Sequence, residues 1–92
     1  MIWKTYFESV WDALEDDPVR QENFKLRSEL MITISETIKE RGLEQQDAAE
    51  LLRFTQPRVS ALLKGKLDEF HLDTLVNFAH RPGLHVSINV AA

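Results

Sequence analysis

The chain has 92 residues, which is enough for one domain with a single hydrophobic core. Its composition, 43% hydrophobic and 28% charged, is ordinary for a globular protein, and no apolar run is long enough to span a membrane. The absence of cysteine excludes disulfides and thiolate metal sites, and with no signal-peptide pattern at the N-terminus we expect a cytoplasmic protein.

The net charge of −4 is distributed unevenly along the chain. Residues 1–22 hold six acidic and two basic residues, whereas acidic and basic residues balance over residues 23–92. A chain without excess positive charge attracts nucleic acid weakly. Any tight binding to DNA would therefore require two copies of the chain acting together.

Residues 1–17 predict an amphipathic helix with an acidic end. Trp3, Phe7 and Trp11 recur every four residues on one face. The acidic residues before Pro18 predict that the helix ends there, since a residue preceding proline avoids helical geometry. The aromatic face has two interpretations: it packs on the chain's own core, or its rings anchor a basic protein partner.

The longest predicted helix covers residues 23–41. Its apolar residues recur every four positions, at Leu26, Leu30, Ile34 and Ile38. Gly42 follows the last turn, at the position where helices commonly end in a left-handed conformation.

Residues 45–64 predict two short helices joined by a three-residue turn. Ala49 permits a close helix crossing, Thr55 is a suitable N-cap, and Pro57 fits the first turn of the second helix. This is the layout of a helix-turn-helix, in which the second helix enters the major groove of DNA. The alternative is a small helical bundle whose outer face is only solvated.

The residues of the second helix favour the DNA-binding interpretation. The stretch from Arg53 to Lys66 contains four basic residues and no acidic one. With Val59 facing inward, helical spacing predicts that Ala61 and Lys64 lie on the outer face. The predicted base contacts are Gln56 with adenine, Arg58 with guanine, and Pro57 or Ala61 with a thymine methyl. The predicted phosphate contacts are Gln45, Thr55, Ser60, Lys64 and Lys66.

A further helix is predicted at about residues 71–81, followed by an alternating segment at 84–90. Phe78 is predicted to lie off the apolar stripe of that helix, which suggests a second contact surface. The alternation predicts a strand with one apolar face, and the chain offers no second strand to pair with it. We therefore expect antiparallel pairing across a homodimer. The predicted dimer contacts are Phe78, Val86, Ile88 and Val90.

The sequence shows no catalytic or metal-binding pattern. The three histidines lack metal-ligand spacing, and no serine has the context of a nucleophile. We expect no enzyme activity, no cofactor and no small-molecule substrate.

The stretch AAELLRFTQPRVSALLKGK resembles the Cro and phage-repressor type of helix-turn-helix, often called the XRE family. The matching positions are Gln45, Ala49, Val59, Leu62 and the exit Lys64-Gly65-Lys66. The family usually has glycine where this chain has Arg53. That position often needs a left-handed backbone, which is unfavourable for a residue with a Cβ.

The resemblance extends to VWDALEDDP, NFKLRSELM and LDTLVNF, which look like the small antitoxins of HigA type. It implies a protein that neutralises a ribonuclease toxin of RelE-like fold and represses the shared operon. A stand-alone or phage-type regulator and a helical interaction module remain alternatives.

The expected architecture is an all-α helical bundle of the lambda-repressor-like helix-turn-helix type, with about five helices and one C-terminal β-strand. It forms a single domain over residues 1–92. The N-terminal helix occupies residues 1–17, the helix-turn-helix bundle residues 23–81, and the strand residues 84–90. The expected target is double-stranded DNA with an inverted-repeat operator.

Overall fold

The computed structural model describes residues 17–92 as a helical bundle. Its elements are α1 (Pro18–Glu40), α2 (Gln45–Leu52), α3 (Gln56–Leu63), a 3-10 turn (Leu67–Glu69) and α4 (Leu72–His80). The prediction of an all-α fold is confirmed over these residues. The helix predicted at the N-terminus lies outside them. Among the described helices, none combines the length and apolar character needed to cross a bilayer.

Helix α1 begins at Pro18, five residues before the predicted start. The Asp17 side chain caps the helix by accepting a hydrogen bond from the backbone N–H of Arg20 at 3.1 Å. Pro18 suits the first helical position because its missing N–H would have no partner there and its φ is already helical. Pro18 was expected to separate two helices, but it opens the long one.

The buried face of α1 also differs from the predicted stripe. The buried residues are Phe24, Met31, Ile34 and Ile38, together with two serines. Leu26, expected in the core, is 44% exposed. A strict spacing of four drifts around a helix of 3.6 residues per turn, so the N-terminal end of such a stripe rotates away from the core.

The core is one continuous cluster to which all four described helices contribute. Helix α4 packs across α1, α2 packs on α3, and α1 also contacts α3 and the 3-10 turn. Leu52, Leu62 and Leu75 are fully buried where these elements meet. Helices α2 and α3 therefore pack as a pair, and α3 joins this pair to α1.

Phe78 lies in this core, so the prediction that it faces away from the core is wrong. It is 5% exposed, and its ring centroid lies 4.7 Å from that of Phe54 and 6.3 Å from that of Phe70. Leu72 and Val76, on the same helix, are only half-buried. The buried face of α4 is rotated toward Phe78 because the aromatic residues on either side of α3 pack against that side.

Residues 84–92 form no helix or strand in the single chain, so the predicted strand is not supported within residues 17–92. The segment is tied to the bundle at its start, where the Leu84 N–H donates to the Ala79 carbonyl at 3.0 Å and the Leu84 side chain packs on the core. Beyond it Ile88 and Val90 are 78% and 87% exposed. A strand here would need a partner from outside residues 17–92.

Candidate nucleic-acid interface

The turn between α2 and α3 is set by the left-handed backbone of Arg53, which has φ 55° and ψ 49°. This conformation lets the Phe54 N–H donate to the Ala49 carbonyl at 2.9 Å, which closes the end of α2. A residue with a Cβ costs about 1 kcal/mol or more in this region. The expectation that this position needs a left-handed backbone is confirmed, and Arg53 adopts it.

The start of α3 is capped by the residue predicted to cap it. The Thr55 hydroxyl accepts a hydrogen bond from the Arg58 N–H at 3.4 Å, and Pro57 lies in the first turn. The hydroxyl hydrogen of Thr55 can still donate to a phosphate oxygen. Gln56 and Pro57 are exposed and lie at the N-terminal tip of α3. The helix therefore presents this tip to solvent.

The inner side of the helix pair is apolar and tightly closed. Ala48 and Leu52 of α2 and Val59 and Leu62 of α3 are all buried. Because Ala48 and Ala49 are small, the two helices can approach closely. This fixes the outer side of α3 relative to the rest of the bundle.

Seven of the nine residues predicted to contact DNA lie on or beside the outer face of the pair. Six of them are exposed: Gln45, Thr55, Gln56, Pro57, Lys64 and Lys66. The seventh, Ser60, is half-buried. Lys64 and Lys66 flank Gly65 at the exit of α3. Polar groups thus stand at the tip of the helix and positive charges at its end.

Ala61 is not on that face. It is 7% exposed and belongs to the core cluster, so the prediction that it touches a base is not supported. Gly65, at φ 75°, turns the chain back beside it, and the Lys66 N–H donates to the Ala61 carbonyl at 3.1 Å. The core cluster therefore includes a position that helical spacing, with Val59 facing inward, assigns to solvent.

Arg58 is held against neighbouring residues in the free chain. Its guanidinium carbon lies 4.9 Å from the Phe54 ring centroid and 4.7 Å from the Phe70 ring centroid. Its Nη2 donates to the Glu69 carbonyl at 3.1 Å, and its Nη1 lies 4.0 Å from the Glu69 carboxylate. To reach a guanine, Arg58 would have to give up contacts worth about 0.5–1 kcal/mol for each ring and about 1.5–3 kcal/mol for the hydrogen bond.

Arg27 supports the same region and was not identified from the sequence. Its Nη1 donates to the carbonyls of Leu67 and Phe70, at 3.0 and 3.3 Å. It thereby ties the 3-10 turn to α1. Arg27 lies three residues after Phe24 and four before Met31, so helical spacing puts it on the same face as these two apolar residues. This spacing was the sequence signal that Arg27 faces inward.

The described residues contain no group of three histidine, cysteine or acidic side chains placed to hold a metal ion.

Comparison with known proteins agrees with this geometry. A family profile described as a helix-turn-helix domain matches residues 13–91, which is most of the chain. The chain belongs to this helix-turn-helix family. No curated protein matches it. As a helix-turn-helix protein it is a DNA-binding regulator. In this motif α2 occupies the position of the supporting helix and α3 that of the recognition helix.

Proposed function

We propose that the protein is a sequence-specific transcriptional repressor that binds operator DNA through α3. The observation that carries this is the contrast between the buried side of α3 and its exposed N-terminal tip. Val59 and Leu62 are buried inside, while Gln56 and Pro57 are exposed at the tip that enters a groove. A surface helix that only faces solvent does not need an exposed, capped N-terminus, whereas a helix that enters a groove does.

The proposed contacts divide into two kinds. Gln56 hydrogen-bonds an adenine edge and Pro57 contacts a thymine methyl. Gln45, Thr55, Ser60, Lys64 and Lys66 contact phosphates and set the register of the helix on the duplex. Only the first kind distinguishes one sequence from another.

A duplex selection followed by mobility-shift titrations tests this division. Gln56→Ala should weaken binding to the selected sequence by about 1–3 kcal/mol and leave binding to random duplex nearly unchanged. Lys64→Ala, the matched control on the same helix, should weaken both and lower the salt slope by about 1. A wild-type protein that enriches no sequence would instead support a helical interaction module.

We propose that the repressor binds as a homodimer through residues 84–90. In an extended segment Val86, Ile88 and Val90 lie on one side, and Ile88 and Val90 are the most exposed apolar residues of this segment. Antiparallel pairing with a second copy would satisfy their backbone groups and cover this apolar side. Two copies would place their recognition helices about 34 Å apart on an inverted repeat.

Charge substitutions on the two sides of this segment test the dimer without shortening the chain. Ile88→Lys should give monomers and weaken operator binding, since it places a charge inside the interface. Ser87→Lys and Asn89→Lys, which add the same charge on the opposite side, should leave dimers intact. Light scattering separates the outcomes, and dimers that survive Ile88→Lys would rule out this interface.

We further propose that the repressor is an antitoxin of HigA type in the XRE class and neutralises a RelE-like ribonuclease toxin. Support comes from the sequence resemblance and from the acidic N-terminal segment, which carries Trp3, Phe7 and Trp11 as aromatic anchors for a basic partner. Co-expression with the neighbouring gene product tests this. Deleting residues 1–15, which spares the Asp17 cap, should abolish co-purification and preserve the melting temperature and DNA binding.

A stand-alone regulator would co-purify with no neighbour, with or without the N-terminal segment. If the deletion instead lowers the melting temperature strongly, the aromatic stripe belongs to the core and the partner surface lies elsewhere.

A further inference from the structure

Two arginines from different helices hold the same short turn after the recognition helix. Arg27 of α1 donates to the carbonyls of Leu67 and Phe70, and Arg58 of α3 donates to the carbonyl of Glu69. Three backbone carbonyls of residues 67–70 therefore accept hydrogen bonds from guanidinium groups. We call this segment the 67–70 turn.

Arg58 also connects this turn to Phe54, which lies two residues before α3. Its guanidinium lies within 5 Å of the ring centroids of both Phe54 and Phe70. Phe70 is buried, and Phe54 packs against Phe78 of α4, so both rings are fixed by the core. A side chain on the recognition helix is thus attached to residues that precede and follow that helix.

We propose that Arg58 is a positioning residue, which sets the placement of α3 on DNA and contacts neither a base nor a phosphate. The inference rests on the proposed role of α3 in operator binding. The guanidinium is already engaged by two rings, a carbonyl and a carboxylate, and its side chain is 37% exposed. The planar, multi-donor guanidinium suits this place because it interacts with ring faces and donates to a carbonyl at once, which lysine does not reproduce.

The three roles of an arginine on a recognition helix leave different signatures in one experiment. A base contact affects the preference at one base pair, while a phosphate contact affects the salt dependence of binding. A positioning residue weakens operator binding without either change. A residue that serves only stability changes the melting temperature and leaves the affinity of the folded protein intact.

The experiment selects duplexes from a random pool with wild type and Arg58→Ala, then titrates the selected duplex across a salt series. We expect the same preferred sequence from both proteins, about tenfold weaker binding by the variant, and an unchanged salt slope. Lys64→Ala is the control for charge, and its slope should fall by about 1. Circular dichroism at the assay temperature establishes that the proteins compared are folded.

Two further variants separate the role of the planar guanidinium from that of its charge. Arg58→Lys should bind as weakly as Arg58→Ala, because it retains the charge without the planar group. Phe54→Leu should also weaken binding, and its effect should not add to that of Arg58→Ala, since both remove the same contact. If Arg58→Ala folds poorly, Arg58→Met keeps the apolar stem and carries the same comparison.

Each other result overturns the proposal. Loss of preference at a single base pair would make Arg58 a base reader, and a reduced slope restored by Arg58→Lys would make it a phosphate contact. Full operator affinity in folded Arg58→Ala would make it purely structural. A wild-type protein that selects no sequence would remove the proposed function itself, and this inference with it.

Discussion

The two connections that flank the recognition helix begin alike and are completed differently. Each starts with a left-handed residue, Arg53 after α2 and Gly65 after α3, and with a hydrogen bond that reaches back five residues. The first connection then leads at once to the Thr55 cap. The second continues into the 67–70 turn, which Arg27 and Arg58 hold from two helices.

The difference shows two ways in which a connection can hold α3 in position. The first connection depends on neighbours in sequence: a left-handed residue, a cap and a proline within five positions. The second depends on Arg27, which lies 40 residues from Leu67. Phe78 contacts both connections, because its ring packs against Phe54 in the first and near Phe70 at the end of the second. Substitutions can therefore affect both connections, one of them, or neither.

The largest effect is expected from Phe78→Ala, which acts on both connections. Removing a buried ring costs the transfer free energy of its atoms and leaves a cavity between Phe54 and Phe70, about 3–5 kcal/mol in total. Urea denaturation measures this loss. Val76→Ala, at a half-buried position on the same helix, should cost clearly less. Equal losses from both variants would contradict the central place given to Phe78.

The next effect is expected from Arg27→Met, which acts on the second connection. Methionine keeps most of the apolar stem, but the carbonyls of Leu67 and Phe70 lose the hydrogen bonds that they accept from the guanidinium. We expect a loss of about 2 kcal/mol, or roughly 10 °C in melting temperature for a domain of this size. Lys25→Met, at an exposed position of the same helix, should change the melting temperature little. Hydrogen exchange should show faster exchange in the 67–70 turn for Arg27→Met alone.

Arg53→Gly should act on the first connection in the opposite direction. Glycine adopts the left-handed backbone without strain, although it gains entropy in the unfolded state, so we expect a net stabilisation of about 0.5–1 kcal/mol. Arg53→Ala removes the same charge and keeps the strain, so it should not stabilise. If both variants raised the denaturation midpoint equally, charge removal would be the cause.

The smallest effect is expected from Glu69→Gln, which removes the carboxylate beside Arg58 and keeps the backbone carbonyl. The ion pair is long, at 4.0 Å, and both side chains are more than a third exposed. Such pairs contribute about 0.5 kcal/mol or less. The melting temperature should stay near that of Glu50→Gln, a control on α2. A loss of more than 1 kcal/mol would mean that the carboxylate, rather than the rings and the carbonyl, holds Arg58.

The sequence by itself determined the features that depend on nearby residues. The α2–α3 pair, the Thr55 cap and the end of α1 at Gly42 follow from local backbone chemistry. The left-handed position at Arg53 was implied by the family resemblance, in which glycine usually stands there. These signals act within about six residues, so they can be identified without knowing what the helices pack against.

Tertiary structure decided which faces are covered and which residues support the recognition helix. Spacing placed Ala61 outside and Phe78 off the core, but both residues lie in the core cluster, where Phe78 packs against Phe54 and Phe70. It also gave no sign that Arg58 would lie against two rings, or that Arg27 would reach a turn 40 residues away. The physical reason is that helical periodicity fixes only the direction in which a side chain points around the axis of its helix. Which of those directions meets another element depends on how the chain folds back.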